Sequence, residues 1–207
     1  MALTTYAELK TSVADFLNRT DLTSAIPTFI SLAEADFNRK IRHWRMEKRS
    51  TAVIDSQYTS PPADFLEPIR LSMLSGNTSR LEPISQSQMM EQRQLGQNTS
   101  GTPRFYAITD GSIEVYPNPN SDTLTLEMVY YARPTALSDS NATNWLLTYY
   151  PDAYLYGALV HSAPYLADDS RIQVWASLLN NAISGINSDS ESAKYGGVGL
   201  KMKARSY

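Results

Sequence analysis

The chain has 207 residues, of which 42% are hydrophobic and 19% charged. That size and composition suit one large domain, or a domain carrying an insertion, and exclude disorder for the bulk of it. There is no cysteine and only two histidines, His43 and His161. Thiolate zinc sites, iron–sulfur clusters, thiol nucleophiles, disulfide scaffolds and histidine-rich metal centres therefore drop out together, and no cofactor is expected. The net charge is -3, yet residues 194–207 hold Lys194, Lys201, Lys203 and Arg205 and no acid, which leaves -7 on residues 1–193. A basic tail on an acidic body suits an acidic partner or nucleic acid.

Thr5 followed by Glu8 is a capping box, and Tyr6, Leu9, Val13 and Phe16 recur at steps of three and four, so a first helix is expected over about 5–18. After a polar connector, Pro27 fits a first-turn position, and Ile26, Ile30, Ala33, Phe37, Ile41 and Trp44 form one stripe of a second helix reaching about residue 44. From 46 to 133 the period shortens. β-branched and aromatic runs broken by proline, glycine and asparagine predict antiparallel strands over 49–54, 67–74, 105–109, 112–116 and 123–131. Asp110-Gly111 marks a tight hairpin, because both central residues of its turn need positive φ. Residues 85–95 suit a short helix ended by Gly96, and Pro61, Pro62, Pro117 and Pro119 belong in loops or at edges.

After Pro134 the chain turns helical again. A third helix should run from about Leu146 or Pro151 to Leu166, kinked near Pro164. It is apolar nearly all round, so it must be covered on several sides. Asp168 or Asp169 can cap a fourth helix carrying Ile172, Trp175, Leu179, Ala182 and Ile186 at heptad-like spacing. The fold class expected is α+β: a four-helix body made by residues 1–45 and 135–193, an inserted antiparallel β-rich module at 46–134, and a flexible basic tail at 194–207. No secretory signal is expected at the N-terminus, so the protein should be made in the cytosol. The most apolar stretch, 153–167, is interrupted and too short to cross a bilayer, so no membrane partner is expected.

No enzyme is visible. The chain lacks a nucleophile elbow, a phosphate loop, a dinucleotide fingerprint and a metalloprotease motif. Asp168, Asp169, Asp189 and Glu191 sit at helix ends, where acids cap or stay solvated. Asp36 suits an ion pair with an arginine, and His161, on an apolar helix, suits a satisfied core position. The basic cluster Arg39, Lys40, Arg42, Arg45, Lys48 and Arg49 is the strongest charge feature of the body. It could face DNA phosphates, as in a free nucleic-acid-binding module, or it could be a solvated or ion-paired face. Thirteen tyrosines, with Tyr58, Tyr116, Tyr130, Tyr131, Tyr149 and Tyr150 exposed by pattern, suit a protein whose work is contact.

Several stretches together resemble the tailed-bacteriophage head-to-tail connector, or adaptor, family. They are Tyr6-Ala7-Glu8-Leu9, then Phe16 to Leu22 leading to Ile26-Pro27-Thr28-Phe29-Ile30, then Pro62-Ala63-Asp64-Phe65-Leu66-Glu67. Gly101-Thr102-Pro103-Arg104-Phe105-Tyr106 follows, and the most distinctive is Asn144-Trp145-Leu146-Leu147 with Tyr150-Pro151-Asp152-Ala153-Tyr154. The resemblance implies a structural virion protein of the neck, assembled in the host cytoplasm: a ring of copies, twelve in number, below the portal, joining capsid to tail. It implies a β-module that meets the next tail component, a nozzle or stopper, and genomic DNA passing through the lumen. It also implies a C-terminal segment docked on the portal, to which Lys194, Tyr195, Leu200, Lys201, Met202, Lys203, Arg205 and Tyr207 would contribute.

Overall fold

The computed structural model describes residues 3–75, 79–96, 99–120, 124–166 and 170–196. The chain forms two compact units, one of Met1–Arg45 with Pro134–Tyr207 and the other of Met46–Arg133. The fold is α+β: the first unit is helical, and the second holds two sheets and one helix.

In the helical unit, α1 (Tyr6–Leu17) starts at the Thr5–Glu8 capping box, with both reciprocal bonds made, and ends at Asn18 in the left-handed region (φ 52°). Helix α2 (Ile26–Lys40) has Pro27 in its first turn, where no intrahelical N–H is lost. It stops at Lys40, four residues before the apolar stripe does. Ile41 is already extended, because the backbone N–H groups of Arg42 and Trp44 donate to side chains of a distant helix, Asn187 Oδ1 (3.0 Å) and Ser190 Oγ (2.9 Å), instead of to the preceding turn. A short 3₁₀ turn, Trp44–Met46, follows.

The expected third helix is two helices. Helix α4 (Trp145–Tyr149) is capped by Asn144, and α5 (Pro151–His161) begins on Pro151. Pro164 falls in a separate 3₁₀ turn, Ala163–Tyr165, rather than at a kink. Helix α6 is described over Arg171–Tyr195 and so runs past the expected end of the body. Lys194 and Tyr195 are therefore its last residues and not part of a tail. Asp168 and Asp169, expected as its caps, lie outside the described residues.

Helix α5 sits at the centre of its unit and touches α1, α2, α4 and α6. Ala153, Tyr154, Leu155, Ala158 and Leu159 are buried. Its all-round apolar surface is thus covered within one chain and does not by itself demand neighbours. Gly157 makes the closest approach: a Cβ there would lie 2.9 Å from Ala33 Cβ and 3.0 Å from Phe37 Cζ of α2. A buried polar network fixes the segment that leads back into the unit. Glu34 accepts from Leu137 N–H (2.8 Å) and the Tyr154 hydroxyl (3.0 Å), and Asn144 Nδ2 donates to that hydroxyl (2.7 Å) and to Thr135 O (2.8 Å).

In the second unit, one sheet has the order β1 (Glu47–Val53), β8 (Thr125–Ala132), β3 (Phe65–Met73), β4 (Ser79–Arg80), all antiparallel. The other has the order β2 (Tyr58–Thr59), β7 (Ser112–Tyr116), β6 (Phe105–Thr109), β5 (Glu82–Pro83), with β5 and β6 parallel. The β6–β7 hairpin turns at Asp110 (φ 50°) and Gly111 (φ 69°), as its sequence requires. Leu126, Met128, Tyr130 and Ala132, alternate residues of β8, pack with Leu71, Tyr106, Ile113 and Val115 in one core. This is the period of two expected of a strand with one buried face. Helix α3 (Gln86–Gln94) places Met89 against Ala107 and Tyr116. Tyr116 and Tyr130, expected at the surface, are core residues, each satisfying its hydroxyl by donation: Tyr116 to Gln92 O (3.1 Å), Tyr130 to Asp64 (2.8 Å).

Candidate functional site

The basic cluster divides between the two units. Arg39, Lys40, Arg42 and Arg45 belong to the helical one, Lys48 and Arg49 to the other. Arg39 (2.8 Å) and Lys40 (2.7 Å) both bind the Asp36 carboxylate. Burial works to raise that carboxyl, but the bonds from Lys40 and Arg39 outweigh it and hold it below its ordinary value. The ion pair expected at Asp36 is thus present. The Arg42 guanidinium donates to Asn38 O (2.9 Å) and Ile41 O (2.7 Å), which closes the end of α2. Lys48 pairs with Asp64 (2.6 Å), and Arg49 pairs with Glu127, which also binds Arg70 at 2.8 Å. The side chains of Arg39, Lys48 and Arg49 keep more than half of their surface in solvent, so they retain long-range charge while holding a partner.

Arg45 is placed differently. Its guanidinium lies over the rings of Trp44 (4.5 Å) and Tyr149 (4.0 Å), both more than a third exposed. Exposed arginine stacked on aromatics is the composition of interface hot spots. Beneath it lies His43, wholly buried and stacked on Trp145 (ring centroids 5.1 Å apart). His43 Nδ1 accepts from Arg45 N–H (3.2 Å), so the neutral ring carries its proton on Nε2, which lies 3.4 Å from the Tyr150 hydroxyl and 3.7 Å from Asp189. Tyr150 donates to Asp189. Burial lowers the His43 pKa against the pull of Asp189 and, with Asp189 beside it, pushes the Tyr150 hydroxyl up to about 12. A covered imidazole cannot reach a substrate. The group instead ties residues 41–45 to α4, to the α4–α5 junction and to α6, assisted by Asn187, which receives Arg42 N–H and donates to Lys40 O (3.1 Å). His161 is half-buried and its Nε2 has no hydrogen-bond partner among the described residues, so the satisfied core histidine expected there is not what the structure shows.

Two buried carboxylates of the β unit were not singled out from the sequence. Glu127 is one. Glu114 is the other, accepting from Arg93 (2.8 Å), Gln57 (2.9 Å) and Gln86 (3.0 Å), and so it clamps α3 and the loop before β2 onto their sheet. Beside α3 opens a cavity of 640 Å³ lined by Gln92, Leu95, Thr102, Arg104, Phe105 and Tyr116. Met90 on this helix and Leu95 just past its end stand more than half exposed.

Of the residues expected in a docking tail, Lys194 and Tyr195 are in α6, and Leu200, Lys201, Met202, Lys203, Arg205 and Tyr207 lie outside the described residues. Among the described residues no group of His, Asp and Glu is arranged to hold a metal, and no helix is long and apolar enough to cross a membrane.

The site thus combines charges engaged within the chain, a histidine sealed under aromatics, and large apolar side chains left at the surface. The chain belongs to the SU10 adaptor protein family, whose model matches residues 4–199, and it is accordingly a bacteriophage structural adaptor. No curated protein matches it.

Proposed function

We propose that the chain is the head-to-tail adaptor of a phage virion neck, assembled in the host cytoplasm as a ring of twelve copies below the portal. In this reading the helical unit, as a four-helix body of α1, α2, α5 and α6, stands beside its neighbours. The β-rich insertion meets the next tail component, a nozzle or stopper, and genomic DNA passes through the lumen. Residues beyond Tyr195, with Lys194 and Tyr195 at their root, reach the portal.

The observation that carries the reading is family membership over nearly the whole chain, joined to the apolar side chains left outside each unit. Phe16, Leu32, Val174 and Leu178 are exposed on the helical unit, and Val53, Tyr58 and Ile108 on the other. Such groups favour burial against partners. A closed ring of heterologous contacts would multiply each weak tail contact by avidity. Arg39, Lys40, Arg42, Arg45, Lys48 and Arg49 are proposed to face the lumen or a neighbouring subunit. A free nucleic-acid-binding module is supported less well, because Arg39, Lys40, Lys48 and Arg49 hold carboxylates of their own chain.

Deleting residues 196–207 should leave a folded body that a portal pull-down no longer captures. Capture undiminished would reject the tail's role. Reversing Arg39, Lys40 and Arg45 to glutamate should weaken DNA retention in assembled particles; normal retention would remove the lumen assignment.

A further inference from the structure

Helices α5 and α6 leave a groove of 570 Å³ between them, with Tyr150 and Tyr156 on one side and Leu178, Ala182 and Ile186 on the other. The acid in its lining is Asp152, which makes no ion pair among the described residues; Asp189 lies outside the lining, where it accepts from Tyr150. Steps of four and three residues bring Leu178, Ala182, Gly185, Asp189 and Ser192 onto one stripe of α6. The next position on that stripe is Gly196, where the helix ends and whose N–H donates to Ser192 O (2.6 Å). The groove therefore leads straight to the point from which the rest of the chain departs.

Residues 197–207 lie outside the described residues, but their sequence complements the groove. Val198, Leu200 and Met202 are apolar at alternate positions, and Lys201, Lys203 and Arg205 supply three cations with no acid. An extended strand with this pattern carries its apolar side chains on one face. The reach also fits. Ala182 lies 14 positions before Gly196, about 21 Å along a helix axis at about 1.5 Å per residue. An extended segment covers that distance in about six residues at roughly 3.3–3.6 Å each, which brings Met202 level with Ala182. Gly196, Gly197 and Gly199 supply the backbone freedom for the reversal.

We propose that, in a subunit that has not met a portal, residues 197–207 fold back into the α5–α6 groove of their own chain, with Val198, Leu200 and Met202 against its apolar lining and the cations toward Asp152 and Asp189. This builds on the reading of the tail as the portal-reaching segment and adds where it waits. The tail then has two alternative sites, and engagement of the portal uncovers a groove that was filled.

The absence of cysteine makes the test direct. In the full chain, Ala182→Cys with Met202→Cys is compared with Ser184→Cys with Met202→Cys. Position 184 is exposed, at nearly the same height, and on the opposite side of α6. Oxidation of dilute protein without portal should close the 182–202 disulfide within one chain about tenfold faster than the 184–202 one, through the higher effective concentration. Asp152→Lys should slow the first pair and leave the second unchanged. Native tryptophan emission would confirm that each variant is folded. Equal rates for the two pairs would overturn the proposal, and so would a 182–202 bond formed only between two chains, which would give the groove to another copy's tail. Because no portal is present, failure here leaves the portal pull-down with the truncated chain to judge the docking role separately.

Discussion

Two glycines of the helical unit offer the sharpest check on its packing, because the same substitution should move stability in opposite directions. At Gly157 an added Cβ would meet Ala33 Cβ at 2.9 Å and the Phe37 ring at 3.0 Å. Ala33 is fixed to the backbone of α2, so the two helices must separate by a few tenths of an ångström. Overpacking of this kind costs about 1–3 kcal/mol, against about 1 kcal/mol gained when alanine replaces glycine in a helix. Gly157→Ala should therefore be destabilising by roughly 0–2 kcal/mol, and Gly157→Val by about 2 kcal/mol or more, since valine adds two methyl groups and loses part of the helical gain. At Gly185 an added Cβ meets nothing within 4 Å among the described residues, so alanine gains up to about 0.5–1 kcal/mol. All three tryptophans, Trp44, Trp145 and Trp175, belong to the helical unit, so urea unfolding followed by tryptophan emission reads this unit alone. With a slope of about 2 kcal/mol/M, Gly157→Val should lower the midpoint by about 1 M, and Gly185→Ala should raise it by up to about 0.5 M. A midpoint raised equally by alanine at both positions would refute the close approach of α5 to α2.

The buried polar groups give further expectations. Tyr154→Phe removes a donor to Glu34 and an acceptor for Asn144, and should cost about 1–3 kcal/mol by the same emission assay. Burial raises the Glu34 carboxyl above its unfolded value of 4.5. Its protonated form is therefore favoured in the folded chain, and the stabilisation is full below 4.5 and lost as pH rises through the folded value. The stability of the wild type relative to Glu34→Gln should fall over that rise, and a constant difference would contradict it. Burial lowers both His43 and His161 below 6.5, so their contribution is present above 6.5 and lost as pH falls through the folded values; His43→Phe should blunt that loss in acid titrations followed by emission. Glu114→Leu removes the acceptor that Arg93, Gln57 and Gln86 share, and hydrogen exchange in Gln86–Gln94 should quicken severalfold while the helical unit is unaffected.

Local signals in the sequence translated well where local chemistry decides the backbone. Thr5 with Glu8, Pro27, the polar run 85–95 ended by Gly96, and Asp110-Gly111 each mark an element end or turn that the structure has within a residue or two. Where distant side chains decide, the sequence was silent. Ile41 and Trp44 extend the stripe of α2, yet Asn187 and Ser190, well over a hundred residues away, draw the backbone out of the helix. Strands β2, β4 and β5 are two residues long and exist only because a partner lies alongside. Glu114 lies between buried Ile113 and Val115, and nothing in the alternation tells that α3 and Arg93 cover that face. The apolar ring of α5 was legible as a helix needing cover, but not that α1, α2, α4 and α6 of the same chain supply it.

Electron microscopy of the purified chain mixed with the portal of its phage tests the adaptor reading most directly. A collar of adaptor copies seated on the portal, in register with its subunits, is the result expected. A bare portal beside chains that stay single at every concentration would contradict it.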